Sequence, residues 1–117
     1  MLVVKFGGTS VGKPERMHQV ADLITRDEEN KIVVLSALSG TTNTLVSIGD
    51  ALAAGKKEEA AAIISKLKAH YDQFIISLLK DSKYQSKASQ IIGEHCEFLN
   101  IILKISFNEA LNKDILA

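Results

Sequence analysis

Apolar residues fall along this chain in two different rhythms. Near the N-terminus they form short continuous runs, Leu2-Val3-Val4 and Ile32-Val33-Val34-Leu35, rich in β-branched side chains. Runs of this length and composition read as strands buried on both faces. Between them Met17, Val20, Ala21 and Ile24 recur at helical spacing behind Pro14. Proline suits the first position of a helix, where its missing N–H leaves no partner wanting. Strand, helix and strand make a βαβ unit, so the strands are expected to be parallel, with a right-handed crossover. The charged stretch Arg26-Asp27-Glu28-Glu29-Asn30 separates the helix from the second strand.

From Leu45 onward the rhythm is helical. Leu45, Ile48 and Leu52 mark one helix, with Thr42 or Asn43 as its cap and Gly55 as its stop. Residues 57 to 80 carry Ala60, Ile63, Ile64, Leu67, Tyr71, Phe74, Ile75 and Leu78, and Asp81-Ser82 breaks that pattern. Residues 85 to 104 carry Ala88, Ile91, Ile92, His95, Phe98, Leu99 and Ile102 on one side. These two helices are expected to form an antiparallel pair beside the sheet. Ser106-Phe107-Asn108-Glu109 matches a capping box and announces another helix, with Leu111 and Ile115 facing inward. The fold class is therefore α/β, a βαβα unit over residues 1–56 followed by a helix-rich segment over 57–117. Two parallel strands buried on both faces need neighbours, and no third run of similar strength follows. The chain reads as the front part of a longer one.

Composition removes several classes. The 117 residues are 46% hydrophobic, enough for a core and against disorder. Lys plus Arg equals Asp plus Glu at 14 each, and there is no Trp, so nucleic acid is not an expected partner. No run approaches the roughly 20 apolar residues that span a bilayer, and lysine and glycines interrupt the N-terminal run too early for a signal peptide. Cys96 stands alone, which excludes an internal disulfide and points to a reducing, cytoplasmic setting. His18, His70 and His95 show no metal-ligand spacing, and no metal site is expected. His95 reads as a core or boundary residue and Cys96 as structural.

The chemistry concentrates in the two turns. Lys5 and Phe6 end the first strand, then Gly7-Gly8-Thr9-Ser10-Val11-Gly12-Lys13 leads to the helix at Pro14. Glycines let backbone N–H groups approach a phosphate, and a helix start adds partial positive charge. The spacing from Gly7 to Gly12-Lys13 almost spells a P-loop, but Pro14 stands where the magnesium-binding hydroxyl belongs and removes an N–H. A tight structural turn is the plain alternative. Lys5 tips the balance, because a lysine closing a buried strand is costly unless its charge is paired. The second strand ends in Ser36-Ala37-Leu38-Ser39-Gly40-Thr41-Thr42-Asn43, small and hydroxyl-rich. Such residues commonly serve only as turn and cap hydroxyls. In open parallel sheets, however, ligands bind beyond the carboxyl ends of the strands, and both turns fall on that edge.

Lys5-Phe6-Gly7-Gly8-Thr9-Ser10-Val11, with Val33-Val34-Leu35-Ser36-Ala37 and Gly40-Thr41-Thr42-Asn43, resembles the aspartate kinase family. The motifs cover roughly residues 1 to 45. The resemblance implies an amino-acid-kinase fold, a three-layer α/β/α sandwich with a mainly parallel sheet, present here only in part. It implies transfer of a phosphoryl group from ATP, with Mg2+, to the β-carboxylate of L-aspartate, the first step toward lysine, threonine and methionine. By the same resemblance Lys5 is the catalytic lysine that stabilises charge on the transferring phosphoryl group. Lys5, Phe6, Gly7, Gly8, Thr9 and Ser10 bind ATP, and Ser36, Thr42 and Asn43 fall at the aspartate pocket.

The family's downstream glutamate, its adenine-binding half and its regulatory domains have no counterpart in these residues. The piece alone is therefore expected to be inactive, and its uncovered apolar faces to favour a homo-oligomer. Two readings compete with this one. Another amino-acid kinase, of acetylglutamate or glutamate type, would share the lysine and glycines. A non-catalytic helical interaction module would place the function in residues 57–117.

Overall fold

The computed structural model describes residues 1–105, in which two strands and four helices follow the chain order β1, α1, β2, α2, α3, α4. Two compact units divide it, the first Met1–Thr41 and the second starting at Thr42. The capping box at Ser106 and the inward positions Leu111 and Ile115 lie outside the described residues.

In the first unit β1 (Leu2–Phe6) pairs in parallel with β2 (Lys31–Leu35). The register sets Leu2 opposite Lys31 and Phe6 opposite Leu35. Leu2 N–H donates to the Asn30 carbonyl at 3.1 Å, and Ser36 N–H to the Phe6 carbonyl at 3.0 Å, so the ladder extends to both ends. Between the strands, α1 (Pro14–Thr25) has Pro14 in its first turn and Lys13, in extended conformation, at its N-cap. Val20 is buried and Met17 and Ile24 are half-buried, as the spacing predicts, whereas Ala21 is exposed. Asp27 closes the loop before β2. Its carboxylate accepts from Glu29 N–H at 2.9 Å and from the Lys31 ammonium. The Lys31 hydrogen bond, then that from Glu29, lowers the carboxyl pKa below its usual value. The associated stability is present at neutral pH and is lost as pH falls through that lowered value. Because Asp27 is exposed, it is small.

The strands themselves overturn one expectation. Val3 is 68% exposed and Leu35 54%, so neither strand is buried on both faces. Burial of that kind needs layers on both faces and a strand along each edge. Among the described residues the sheet has only two strands, and each is an edge.

In the second unit α2 (Thr41–Ala53) starts earlier than expected, so Thr42 and Asn43 lie inside its first turn rather than capping it. Gly40, at φ +86°, makes the turn that a side chain would strain, and Thr41 N–H donates to the Leu38 carbonyl across it. Gly55, at φ +74°, ends α2 as expected. Lys56 N–H reaches back to the Ala51 carbonyl at 2.8 Å and Gly55 N–H to Leu52 at 3.0 Å, the paired bonds of a Schellman stop.

Helices α3 (Lys57–Leu78) and α4 (Ser82–Leu103) pack on each other through a short link and are therefore antiparallel. Asp81 belongs to α4 as its N-cap. Its carboxylate accepts from Lys83 N–H at 2.8 Å, which starts the helix three residues before Gln85. The core joins Ile48, Ala51 and Leu52 to Ala60 and Ile64, and to Cys96, Leu99 and Ile102. The buried face of α4 is rotated from the expected one. Cys96 is buried, and burial pushes its thiol pKa up, whereas His95, Ile91 and Phe98 are exposed. Tyr84, Ile91, Phe98 and Ile105 form an exposed row at seven-residue spacing on this helix and just past its end.

Ile64 is 2% exposed, so Ile64→Ala should cost about 2–5 kcal/mol in urea unfolding. Ile76→Ala, at a site 57% exposed, should change stability by less than about 0.5 kcal/mol.

Candidate functional site

Parallel pairing sends both strands' C-terminal ends the same way, so the loops after Phe6 and after Leu35 leave together. They pack closely in the first unit. A Cβ on Gly8 would stand 3.3 Å from the Ala37 carbonyl oxygen, and one on Gly12 would stand 2.9 Å from the Gly8 carbonyl oxygen and 3.0 Å from Ser39 Cβ. Gly12 therefore has no room for a side chain. By contrast, nothing lies within 4 Å of a Cβ on Gly7.

Hydrogen bonds inside the glycine turn use only some of its groups. Ser10 N–H donates to the Gly7 carbonyl at 3.0 Å and Gly12 N–H to the Thr9 carbonyl at 3.4 Å. Arg16, from the first turn of α1, brings its Nη1 to the same Thr9 oxygen at 3.0 Å. The amides of Gly7, Gly8 and Thr9 take no part in these turn bonds. Helix α1 begins immediately after, with its first bond from Met17 N–H to the Lys13 carbonyl. The first-turn amides that precede that bond leave positive potential there.

Lys5 is exposed and forms no ion pair with the described residues. The expectation that burial makes its charge costly is therefore not met, for the same reason that the strands are exposed. Strand alternation sets Lys5 and Phe6 on opposite faces of the sheet. On the Phe6 side runs an open groove of about 380 Å3, lined by Phe6, Thr9, Ser10, Arg16, Gln19, Val20 and Leu23. The groove and the Lys5 face are thus separate surfaces meeting at the turn.

The structure brings Lys5, Phe6, Gly7, Gly8, Thr9, Ser10 and Ser36 together in the first unit, at one end of the strand pair. Thr42 and Asn43 lie in the second unit, both exposed in the first turn of α2, where the Asn43 carbonyl accepts from Ser47 Oγ at 3.1 Å. Sequence reasoning missed Arg16 and Ser39. Arg16 is an ordinary charged helix residue until the turn folds back to it, seven positions earlier in the chain. Among the described residues no group of three or more His, Cys, Asp or Glu is placed to hold a metal ion, and no helix is long and apolar enough to cross a membrane.

The amino acid kinase family model matches residues 1–115. Aspartokinase 1, chloroplastic, of Arabidopsis thaliana is 55% identical over 49 residues, 41% of this chain and 9% of that protein. The aspartate kinase of Pseudomonas fluorescens is 38% identical over 82 residues, 68% of this chain and 20% of that protein. Aspartokinase 3, chloroplastic, of Arabidopsis thaliana is 36% identical over 104 residues, 87% of this chain and 18% of that protein. In each case the chain spans a fifth of the relative's length or less.

Contact at Gly12 generates a test of the turn itself. Gly12→Ala should destabilise the first unit by about 1–3 kcal/mol, because backbone on one side leaves the methyl nowhere to go. Gly7→Ala should change stability by less than about 1 kcal/mol. Thermal unfolding of the two variants side by side separates them.

Proposed function

The chain belongs to the amino acid kinase family, and from this we propose that the whole protein phosphorylates L-aspartate on its β-carboxylate, using ATP with Mg2+. The observation that carries the reading is the turn itself. Two glycines and the unspent amides of Gly7, Gly8 and Thr9 sit at the carboxyl end of a parallel strand, next to an exposed lysine and a helix start. Transfer of a phosphoryl group asks a protein chiefly to position reactants and to set cations and N–H donors against the equatorial oxygens. Lys5 supplies the cation and the glycine turn the N–H groups. Phe6 leads into the turn through its backbone, and the hydroxyls of Thr9 and Ser10 border the turn that receives the phosphates. Ser36 follows β2 at the same end of the sheet and serves the acceptor side, together with Thr42 and Asn43 in the α2 first turn. Magnesium arrives with the nucleotide and keeps several of its waters.

The match to aspartokinases favours aspartate over another small carboxylate, because the relatives named above all carry that name. In the whole protein the two strands belong to a larger, mainly parallel sheet within a three-layer sandwich. Adenine and much of the aspartate are held by parts outside these residues, so this chain alone turns over no aspartate. The setting is cytoplasmic, in amino-acid biosynthesis leading to lysine.

An ATP- and aspartate-dependent hydroxamate assay tests the reading on the whole protein. Lys5→Met should lower kcat by about 100- to 1000-fold, the cost of removing one charge-stabilising group, with folding unchanged by circular dichroism. Unaltered kcat in a folded Lys5→Met protein refutes the catalytic role of Lys5. Absence of any aspartate-dependent turnover in the unsubstituted whole protein refutes the substrate.

A further inference from the structure

We propose that Arg16 is a positioning residue for the glycine turn, holding it from the groove side so that its free amides stay aimed at the phosphates. The proposal rests on the phosphate-binding reading of the turn and adds to it a residue outside the glycine motif. Three features of the first unit support it. The Thr9 carbonyl accepts twice, from Gly12 N–H at 3.4 Å and from Arg16 Nη1 at 3.0 Å. The Gly12 bond is long for an N–H···O contact, so the charged donor is the stronger of the two. Arg16 also belongs to the wall of the groove lined by Phe6 and Val20, the face opposite Lys5. Its guanidinium thus grips the turn without occupying the Lys5 side.

The consequence is geometric. A carbonyl and the following N–H share one rigid plane, so fixing the Thr9 oxygen also fixes the direction of Ser10 N–H, which donates to the Gly7 carbonyl at 3.0 Å. The Gly7 carbonyl in turn shares a peptide plane with Gly8 N–H, one of the amides the turn leaves unspent. A single hydrogen bond from helix α1 is therefore relayed to an amide that would meet the phosphates. Arginine does this better than lysine because its fork is planar and loses less freedom on bonding. The first turn of α1 also puts the side chain seven residues from its acceptor, close enough to fold in as one local unit.

The test uses the whole protein, labelled with 15N, and reads amide hydrogen exchange by NMR alongside a titration with MgATP. In Arg16→Met, exchange at Ser10 and Gly12 should rise by about fivefold or more, the size of one charged hydrogen bond at an exposed position. Amides of Leu2–Phe6 and of α3 should keep their rates. MgATP affinity should fall by a similar factor, and Arg16→Lys should recover part of both effects. Gln19→Ala, a change in the same groove wall, should alter neither. Unchanged exchange at Ser10 and Gly12 in Arg16→Met overturns the proposal. Faster exchange with unchanged MgATP affinity also overturns it, because the brace then does not serve binding. If the unsubstituted whole protein binds no MgATP while exchange changes as stated, Arg16 is confirmed as the brace and the phosphate reading of the turn is what fails.

Discussion

Everything distinctive about the first unit depends on the parallel pairing of β1 with β2. An antiparallel pair would send the two following loops to opposite ends, and the glycine turn would face nothing. Parallel pairing, with Phe6 opposite Leu35, makes the loops neighbours and brings the Ala37 carbonyl and Ser39 against Gly8 and Gly12. The lack of room at Gly12 is a consequence of that neighbourhood. So is the position of α1, which must cross between two parallel strands and therefore starts at the turn. The Arg16 hydrogen bond exists because the crossover helix begins where the first strand ends.

Much of this was legible in the residues. Continuous β-branched runs on either side of a helical spacing specify a βαβ unit almost regardless of context, and Pro14 marks the helix start. Gly55 likewise announces a stop that the structure builds with two backbone bonds. An apolar run tells how a strand prefers to be covered and not what lies beside it, so the open faces were legible only from the missing third strand and not from the runs themselves. Lys5 illustrates the same gap: a buried strand predicts a costly charge there, and its exposure follows from the open sheet.

On α4 the error was one of phase. Ile91, Ile92, His95, Phe98, Leu99 and Ile102 span more than one helical stripe, and apolar character alone does not say which stripe meets α3. The structure selects Cys96, Leu99 and Ile102, leaving Ile91 and Phe98 outside. Cys96, which reads as structural from its solitary place in the sequence, is part of the inward face. For the candidate site, the motif residues of the glycine turn were readable, while Arg16 was not. A backbone acceptor carries no side-chain signature, so the donor that finds it is invisible until the chain is folded.

Among the described residues no polar or charged side chain is buried, so the core of the second unit is made of hydrocarbon and one thiol. A core of that kind has no internal hydrogen bond to act as a key. Among these core residues the fit of shapes is what resists sliding one helix along its neighbour. The small members of this core, Ala51 and Ala60, give it relief, because each leaves a hollow between larger side chains. The alignment of these helices is therefore stored in differences of a few methyl groups. Near-isosteric exchanges there would blur the uniqueness of the packing well before they lowered its stability.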